Sequence, residues 1–226
     1  MAIILTNDDG IDAPGIRALH KAVLGKDVMI VAPRDHLSGC AHQVTTTHPI
    51  HVQRRSQLEY AIAGTPADCV RIALTHLCLD VKFVLSGINS GGNLGADTYI
   101  SGTVAAAREA ALHGISGIAV SHYRQGKRNV DWDVAARWTS EVLADLLKRP
   151  AQPGTYWNVN LPHLEPEDPD PEIVFCELST QPLPVNYRIE GENFHYIGEY
   201  ALRDRAPGTD VDICFSGRIA VSQRRL

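Results

Sequence analysis

Five short apolar runs punctuate residues 1–162: Ala2 to Leu5, Asp27 to Pro33, Leu79 to Gly87, Ile115 to Ser121 and Tyr156 to Pro162. An apolar run bounded by turn residues reads as a strand buried on both faces. Between the runs lie helical patterns. Pro14 sits in a first turn, and Ile16, Leu19, Val23 and Leu24 share one helical face. Thr65, Pro66 and Asp68 are an N-cap, an N1 proline and an acid near the positive end of a helix that runs to about Leu77. Ser101-Gly102-Thr103 opens an alanine-rich helix, Val104 to His113, and Gly114 ends it. Val130 to Lys148 forms an amphipathic helix with Val134, Trp138, Val142, Leu146 and Leu147 inward. Strand, helix, strand in this order is the signature of a doubly wound parallel sheet. Residues 43–63 interrupt it with a Thr/Val/Ile-rich extended stretch or hairpin.

After residue 162 the pattern changes. Residues 163–171 alternate Pro with Asp and Glu, the composition of an exposed linker. Beyond them only strand-like pieces stand out: Ile173 to Phe175, a hairpin over 187–200 turning at 190–193, and Val211 to Val221. The expectation is an α/β core over 1–162 and a β-rich C-terminal extension over 163–226, used for packing or assembly.

Composition narrows the partners more than the fold. The net charge of −5 offers no electrostatic reason to expect nucleic acid. No basic amphipathic run suggests a membrane surface, and no apolar run reaches the roughly 18 residues that span a bilayer. No signal-peptide pattern opens the chain, so a cytoplasmic location is expected. Cys40, Cys69, Cys78, Cys176 and Cys214 match no zinc or redox spacing and read as small core residues.

The polar clusters follow the strands. Asp8 and Asp9 come after the first, Ser38 after the second, and Asn89 to Asn93 after the third. In an open α/β sheet ligands bind at that edge. Two adjacent carboxylates repel, and a cation relieves the repulsion; as ordinary turn residues they need no ligand at all. Two carboxylates, a hydroxyl and an amide are hard oxygen donors, suited to Mg²⁺ or Mn²⁺. Ser101, Gly102 and Thr103 at a helix N-terminus favour an anion such as phosphate, with simple capping as the alternative. The combination implies metal-assisted hydrolysis of a phosphate monoester, with Asp8 or Asp9 orienting the attacking water. An aspartyl-phosphate route fits poorly, because Asn7 would occupy the nucleophile position two residues before Asp9. A nucleoside N-ribohydrolase wants more carboxylates. A non-catalytic nucleotide-binding protein would set Asp8 and Asp9 against an anion. His36 and His42 flank the Ser38 loop without metal-ligand spacing. Arg108 and Glu109 read as structural partners, and Asn93 as either a substrate contact or a turn residue.

Several motifs carry a specific resemblance. Thr-Asn-Asp-Asp-Gly at 6–10 with Ala-Pro-Gly at 13–15, and Val-Ala-Pro at 31–33 with Ser38-Gly39, resemble the survival protein SurE family. So do Gly-Thr-Pro-Ala-Asp-Cys-Val at 64–70, Ser-Gly-Ile-Asn-Ser-Gly-Gly-Asn-Leu-Gly at 86–95 and Ser-Gly-Thr-Val-Ala-Ala-Ala-Arg-Glu at 101–109. The resemblance implies a Rossmann-like three-layer core with a mostly parallel sheet. It implies a cytoplasmic phosphatase of nucleoside 5′- and 3′-monophosphates that uses one Mg²⁺ or Mn²⁺ per subunit. It implies metal ligands at Asp8, Asp9, Ser38 and Asn89, and a C-terminal extension exchanged between subunits of a homodimer or homotetramer. The loop Arg34-Asp35-His36-Leu37-Ser38 departs from the family's Asp-Arg-Asn order, and Tyr99 is displaced by one position from the family's aromatic.

Overall fold

A computed structural model describes residues 2–126, 128–149, 151–165 and 167–226. Residue 166 of the expected linker lies outside them. The strands are β1 Ala2–Thr6, β2 Asp27–Pro33, β3 Val52–Arg54, β4 Glu59–Ile62, β5 Val81–Ser90, β6 Ser116–His122, β7 Thr155–Leu161, β8 Ile173–Phe175, β9 Tyr187–Glu190, β10 Asn193–Tyr196 and β11 Ile219–Arg225. The helices are α1 Pro14–Ala22, α2 Pro66–Ile72, α3 Gly102–Leu112, α4 Trp132–Leu146 and α5 Asp210–Phe215. A wider π-type turn, Ala73–Leu77, prolongs α2.

Nine strands form one sheet in the order β3-β4-β2-β1-β5-β6-β7-β11-β8. The run from β4 to β7 is parallel throughout. The alternation of side chains in β1 builds the three layers. Ile3 and Leu5 enter the core shared with Ile16, Leu19, Trp138 and Leu143 of α1 and α4. Ile4 enters the core shared with Val70 of α2 and Ala106 and Ala110 of α3. Both faces of the strand are therefore buried, as its unbroken apolar run requires. Gly15 lets α1 reach the sheet, since a Cβ there would lie 2.0 Å from the Ile88 carbonyl oxygen.

Successive strands leave β1 in opposite directions, β2 on one side and β5 on the other. The switch point is thus between β1 and β5, where the loops diverge and open a crevice. Asp8 and Asp9 follow β1, and Asn89 lies near the end of β5. The sequence places Asn89 in a loop; the structure carries β5 through Ser90, with a register shift between Ser86 and Asn89.

Residues 163–226 add β8 and β11 to this sheet, and β9 and β10 form a separate antiparallel ribbon. The expectation of strand alone over 211–221 is corrected: Asp210–Phe215 is a helix. Six residues are too few to show a helical period, and Val211 and Ile213 favour strands by composition. Asp210 and Asp212 in its first turn are the helical signal. No helix of the described residues is long and apolar enough to cross a membrane. All five cysteines are free.

Two buried ionic networks fasten the elements that carry the edge. In the first, the Arg203 guanidinium, fully buried, donates to Asp97 Oδ2 at 2.8 Å and to the Leu94 carbonyl at 3.1 Å. The Tyr200 hydroxyl donates to the same Asp97 oxygen at 2.5 Å. In the second, Glu109 of α3, 1% exposed, accepts from Arg71 of α2 at 2.6 Å and pairs with His42 at 2.7 Å. His113 approaches it at 3.1 Å.

Each network yields a prediction. Arg203→Met leaves Asp97 buried without its cation and should cost about 3–5 kcal/mol, read by urea denaturation. Burial alone would raise the Glu109 pKa, but the contacts from His42 and Arg71 overcome it and carry the pKa down to about 2. A depressed carboxylate stabilises fully above its unfolded value of 4.5 and loses that stability as pH falls towards 2. Glu109→Gln should therefore flatten the acid limb of the stability profile between those values, while destabilising the protein at pH 7.

Candidate active site

The carboxyl edge is assembled by backbone hydrogen bonds before any side chain is considered. Leu37 N–H donates to the Asp8 carbonyl at 2.7 Å, which brings the Ser38 loop to the end of β1. Ala41 N–H donates to the Ile100 carbonyl at 3.2 Å, which ties the same loop to the start of α3. Ser90 N–H donates to Asp9 Oδ2 at 3.3 Å, joining the end of β5 to the acid pair. Asp8, Asp9 and Asn89 thus meet across the switch point. Ser38 lies on the facing loop, exposed and one residue beyond the Leu37 anchor.

Asp8 is buried against α3. Thr103 Oγ1 donates to Asp8 Oδ1 at 2.5 Å. Gly102 is required beside it, because a Cβ there would lie 2.9 Å from the Asp8 Cβ and 2.7 Å from Cys40 Sγ. Burial pushes the Asp8 pKa upward, the Thr103 hydrogen bond opposes this, and the neighbouring Asp9 charge adds to the rise. Asp9 is more open, at 15% side-chain exposure, with His36 Nδ1 3.3 Å from its Oδ1. Among the described residues no lysine or arginine pairs with either carboxylate. Asn89 Nδ2 donates to the Gly91 carbonyl at 2.8 Å, which leaves its oxygen as the end suited to a cation. Asn7 donates to the Gly10 carbonyl at 2.8 Å, and its own buried Oδ1 has no partner. Cys40 contributes no thiolate: burial first and the Asp8 charge second push its pKa up to about 11.

The expected phosphate-binding residues are placed at this edge with their hydroxyls engaged. Ser101 caps α3, accepting from Val104 N–H at 3.1 Å. The Thr103 hydroxyl is on Asp8. Gly102 lies in the first turn of α3, where backbone N–H groups have no partner within the helix. Asn93 stands deeper. Its N–H donates to Asn160 Oδ1 at 2.8 Å, its Nδ2 to Ser121 Oγ at 2.7 Å, and its carbonyl accepts from Asn158 and Asn160. This buried amide network shapes the glycine-rich loop from beneath.

Sequence reasoning passed over Asn158, Asn160 and Ser121, although two asparagines within a buried strand are a visible anomaly. It also passed over the role of Thr103 in holding Asp8, which depends on a contact distant in sequence.

Comparison with known proteins agrees with the whole sheet. The family model described as Survival protein SurE matches residues 3–183. A putative 5′-nucleotidase of Nostoc sp. PCC 7120 is 67% identical over 226 residues, covering all of both chains. A 5′-nucleotidase SurE of Paramagnetospirillum magneticum is 36% identical, over 98% of this chain and 88% of that one. The crystal structure of the SurE protein from Aquifex aeolicus superposes with a TM-score of 0.88 at 31% identity, covering 100% of this chain and 93% of that one. With a family match across most of its length and the same three-layer sheet, this chain belongs to the survival protein SurE family.

Proposed function

We propose that this chain hydrolyses nucleoside 5′- and 3′-monophosphates to nucleoside and phosphate, in a reaction that depends on a divalent metal ion. Its 5′-nucleotidase relatives support the substrate class. The observation that carries the reading is the unneutralised pair Asp8 and Asp9 at the switch point of the sheet. A buried carboxylate that lacks an arginine or lysine and abuts a second carboxylate is a cation site by its charge. Asp8, Asp9, Ser38 and Asn89 would hold Mg²⁺ or Mn²⁺, all through oxygen. When bound, such an ion polarises a phosphoryl oxygen and lowers the pKa of a coordinated water.

The chain's own groups do the remaining work. Thr103 fixes the Asp8 carboxylate in one orientation and favours its ionised form. Asp9, the more open of the two, accepts a proton from the attacking water and orients it. Gly102 N–H, held in place by the Ser101 cap and by Thr103, receives a phosphoryl oxygen at the positive end of α3. Asn93 keeps the glycine-rich wall of the crevice at a fixed distance through its amide network.

The reading extends to location and assembly. Five free thiols suit a reducing cytoplasm. The ribbon of β9 and β10 exposes Tyr187, Ile189, Phe194 and Tyr196. An isolated two-stranded ribbon is marginal on its own, and these side chains are the surface through which a homodimer or homotetramer would form.

The first test is phosphate release from a panel of nucleoside monophosphates with Mn²⁺, with Mg²⁺ and with chelator. Release should require metal, and no release from a folded, metal-loaded protein would defeat the reading. Asp8→Asn should lower kcat by about 10³-fold or more and, by removing a buried repulsion, should raise the melting temperature of the metal-free protein. The double variant Ile189→Lys, Phe194→Lys should shift the protein to a smaller species in light scattering; an unchanged mass would remove the ribbon from the assembly.

A further inference from the structure

Two of the cavities formed by the described residues are similar in size. One, of about 570 Å³, is lined by Ile3, Asp27, Phe83 and Leu147 at the amino ends of the strands, away from the acid pair. The other, of about 540 Å³, has Ser90, Gly91 and Gly92 along one side, and Ser90 in turn contacts Asp9. Its size falls within the roughly 300–1,000 Å³ of small-molecule sites.

We propose that this second cavity seats the nucleoside half of the substrate, with the base against Tyr123 and Tyr200, Arg124 at the neck and Glu199 at the rim. The proposal rests on the phosphatase reading above for the position of the phosphate. Continuity with the acid pair is the first argument. Ser90 lines the cavity and donates its N–H to Asp9, while Gly91 lines it and accepts from Asn89. Ser90 alone stands between Asn89 and Gly91 in the chain, and the Asn89 side chain touches the Gly91 carbonyl at 2.8 Å, so the cavity wall adjoins a residue that would hold the metal.

The second argument is the chemistry of the walls. Tyr123 stacks on Phe215 with ring centroids 4.5 Å apart, and Tyr200 lies 6.3 Å from Tyr123 at an interplanar angle of 29°. The Tyr200 ring is fixed by its hydroxyl on Asp97 and by the Arg203 guanidinium 4.9 Å from its centroid. The aromatic wall is therefore ordered before any ligand arrives. Stacking on such a wall accepts every base, because each has a π-face. Arg124 is anchored to the Ser90 hydroxyl at 3.4 Å and to the Arg128 carbonyl at 3.0 Å, which holds a planar cation in the cavity lining. Glu199, exposed and without an ion pair among the described residues, accepts from ribose hydroxyls or base amines. Its charge also repels a second phosphate, which favours monophosphates over longer anions. The glycines of the opposite wall leave backbone open to the ligand.

Ala201 lines the cavity from an exposed position in a short turn, so a large side chain there fills the space without entering the core. The experiment compares the Mn²⁺-loaded wild type with Ala201→Trp and with Glu199→Ala. Adenosine binding is read by calorimetry, and turnover is read on adenosine monophosphate and on methyl phosphate. Ala201→Trp should weaken adenosine binding about tenfold or more and lower the kcat/KM ratio of the nucleotide to methyl phosphate by a similar factor. Glu199→Ala should weaken adenosine binding severalfold without added bulk. Equal loss on both esters, no loss on either, or a wild type that does not bind adenosine would overturn the proposal. A wild type that binds adenosine, loses it in Ala201→Trp and yet hydrolyses neither ester would keep the cavity and defeat the phosphatase reading instead.

Discussion

The carboxyl edge depends on one buried hydrogen bond, from the Thr103 hydroxyl to the Asp8 carboxylate. Burial and the charge of Asp9 both work against an ionised Asp8, and this contact is what opposes them. It also fixes geometry. Thr103 stands in the first turn of α3, so the helix cannot shift along the sheet without moving the acid. Gly102 makes the approach feasible by having no Cβ to collide with Asp8 or Cys40. The position of α3, the state of Asp8 and the direction of the helix dipole are thus one arrangement.

That arrangement is held from a distance. Ser101 N–H donates to the Asp97 carbonyl at 3.1 Å, and Asp97 is gripped by Arg203 and Tyr200. Gly95 N–H donates to Asp210 Oδ2 at 2.7 Å, and Ser179 N–H to Asp210 Oδ1 at 2.7 Å. Burial pushes the Asp210 pKa upward while these N–H groups oppose it. The segment after residue 162 therefore clamps the loop that launches α3. On the other side of α3, Glu109 binds the helix to α2 and to the loop bearing His42.

Much of the fold is legible in the sequence because its strands are buried on both faces and carry no competing pattern. Ile3, Ile4 and Leu5 read as a doubly covered strand and form one, and Thr65-Pro66 with Asp68 forms the capping box they suggest. The edge is legible too, since polar residues directly after such strands fall on one side of a parallel sheet. What escapes is whatever depends on partners far along the chain. Nothing near Thr103 shows that its hydroxyl belongs to Asp8 rather than to a ligand. Nothing near Arg203 shows that Asp97 waits for it. The helix α5 escapes for a different reason: six residues rich in β-branched side chains give no period, and its place is fixed by packing against β11 and β7.

The insertion of β11 between β7 and β8 has a consequence for synthesis on the ribosome. β7 ends at Leu161 and its antiparallel neighbour begins only at Ile219. At roughly 5–20 residues per second, the interval between them lasts on the order of several seconds. Through that time β7 presents a bare row of amides and carbonyls, and the clamp that Arg203 and Asp210 place on the loop before α3 is also missing. A bare sheet edge recruits other chains. The nascent protein is therefore exposed to aggregation at β7 before its carboxyl edge is complete, and β11 closes that window when it emerges.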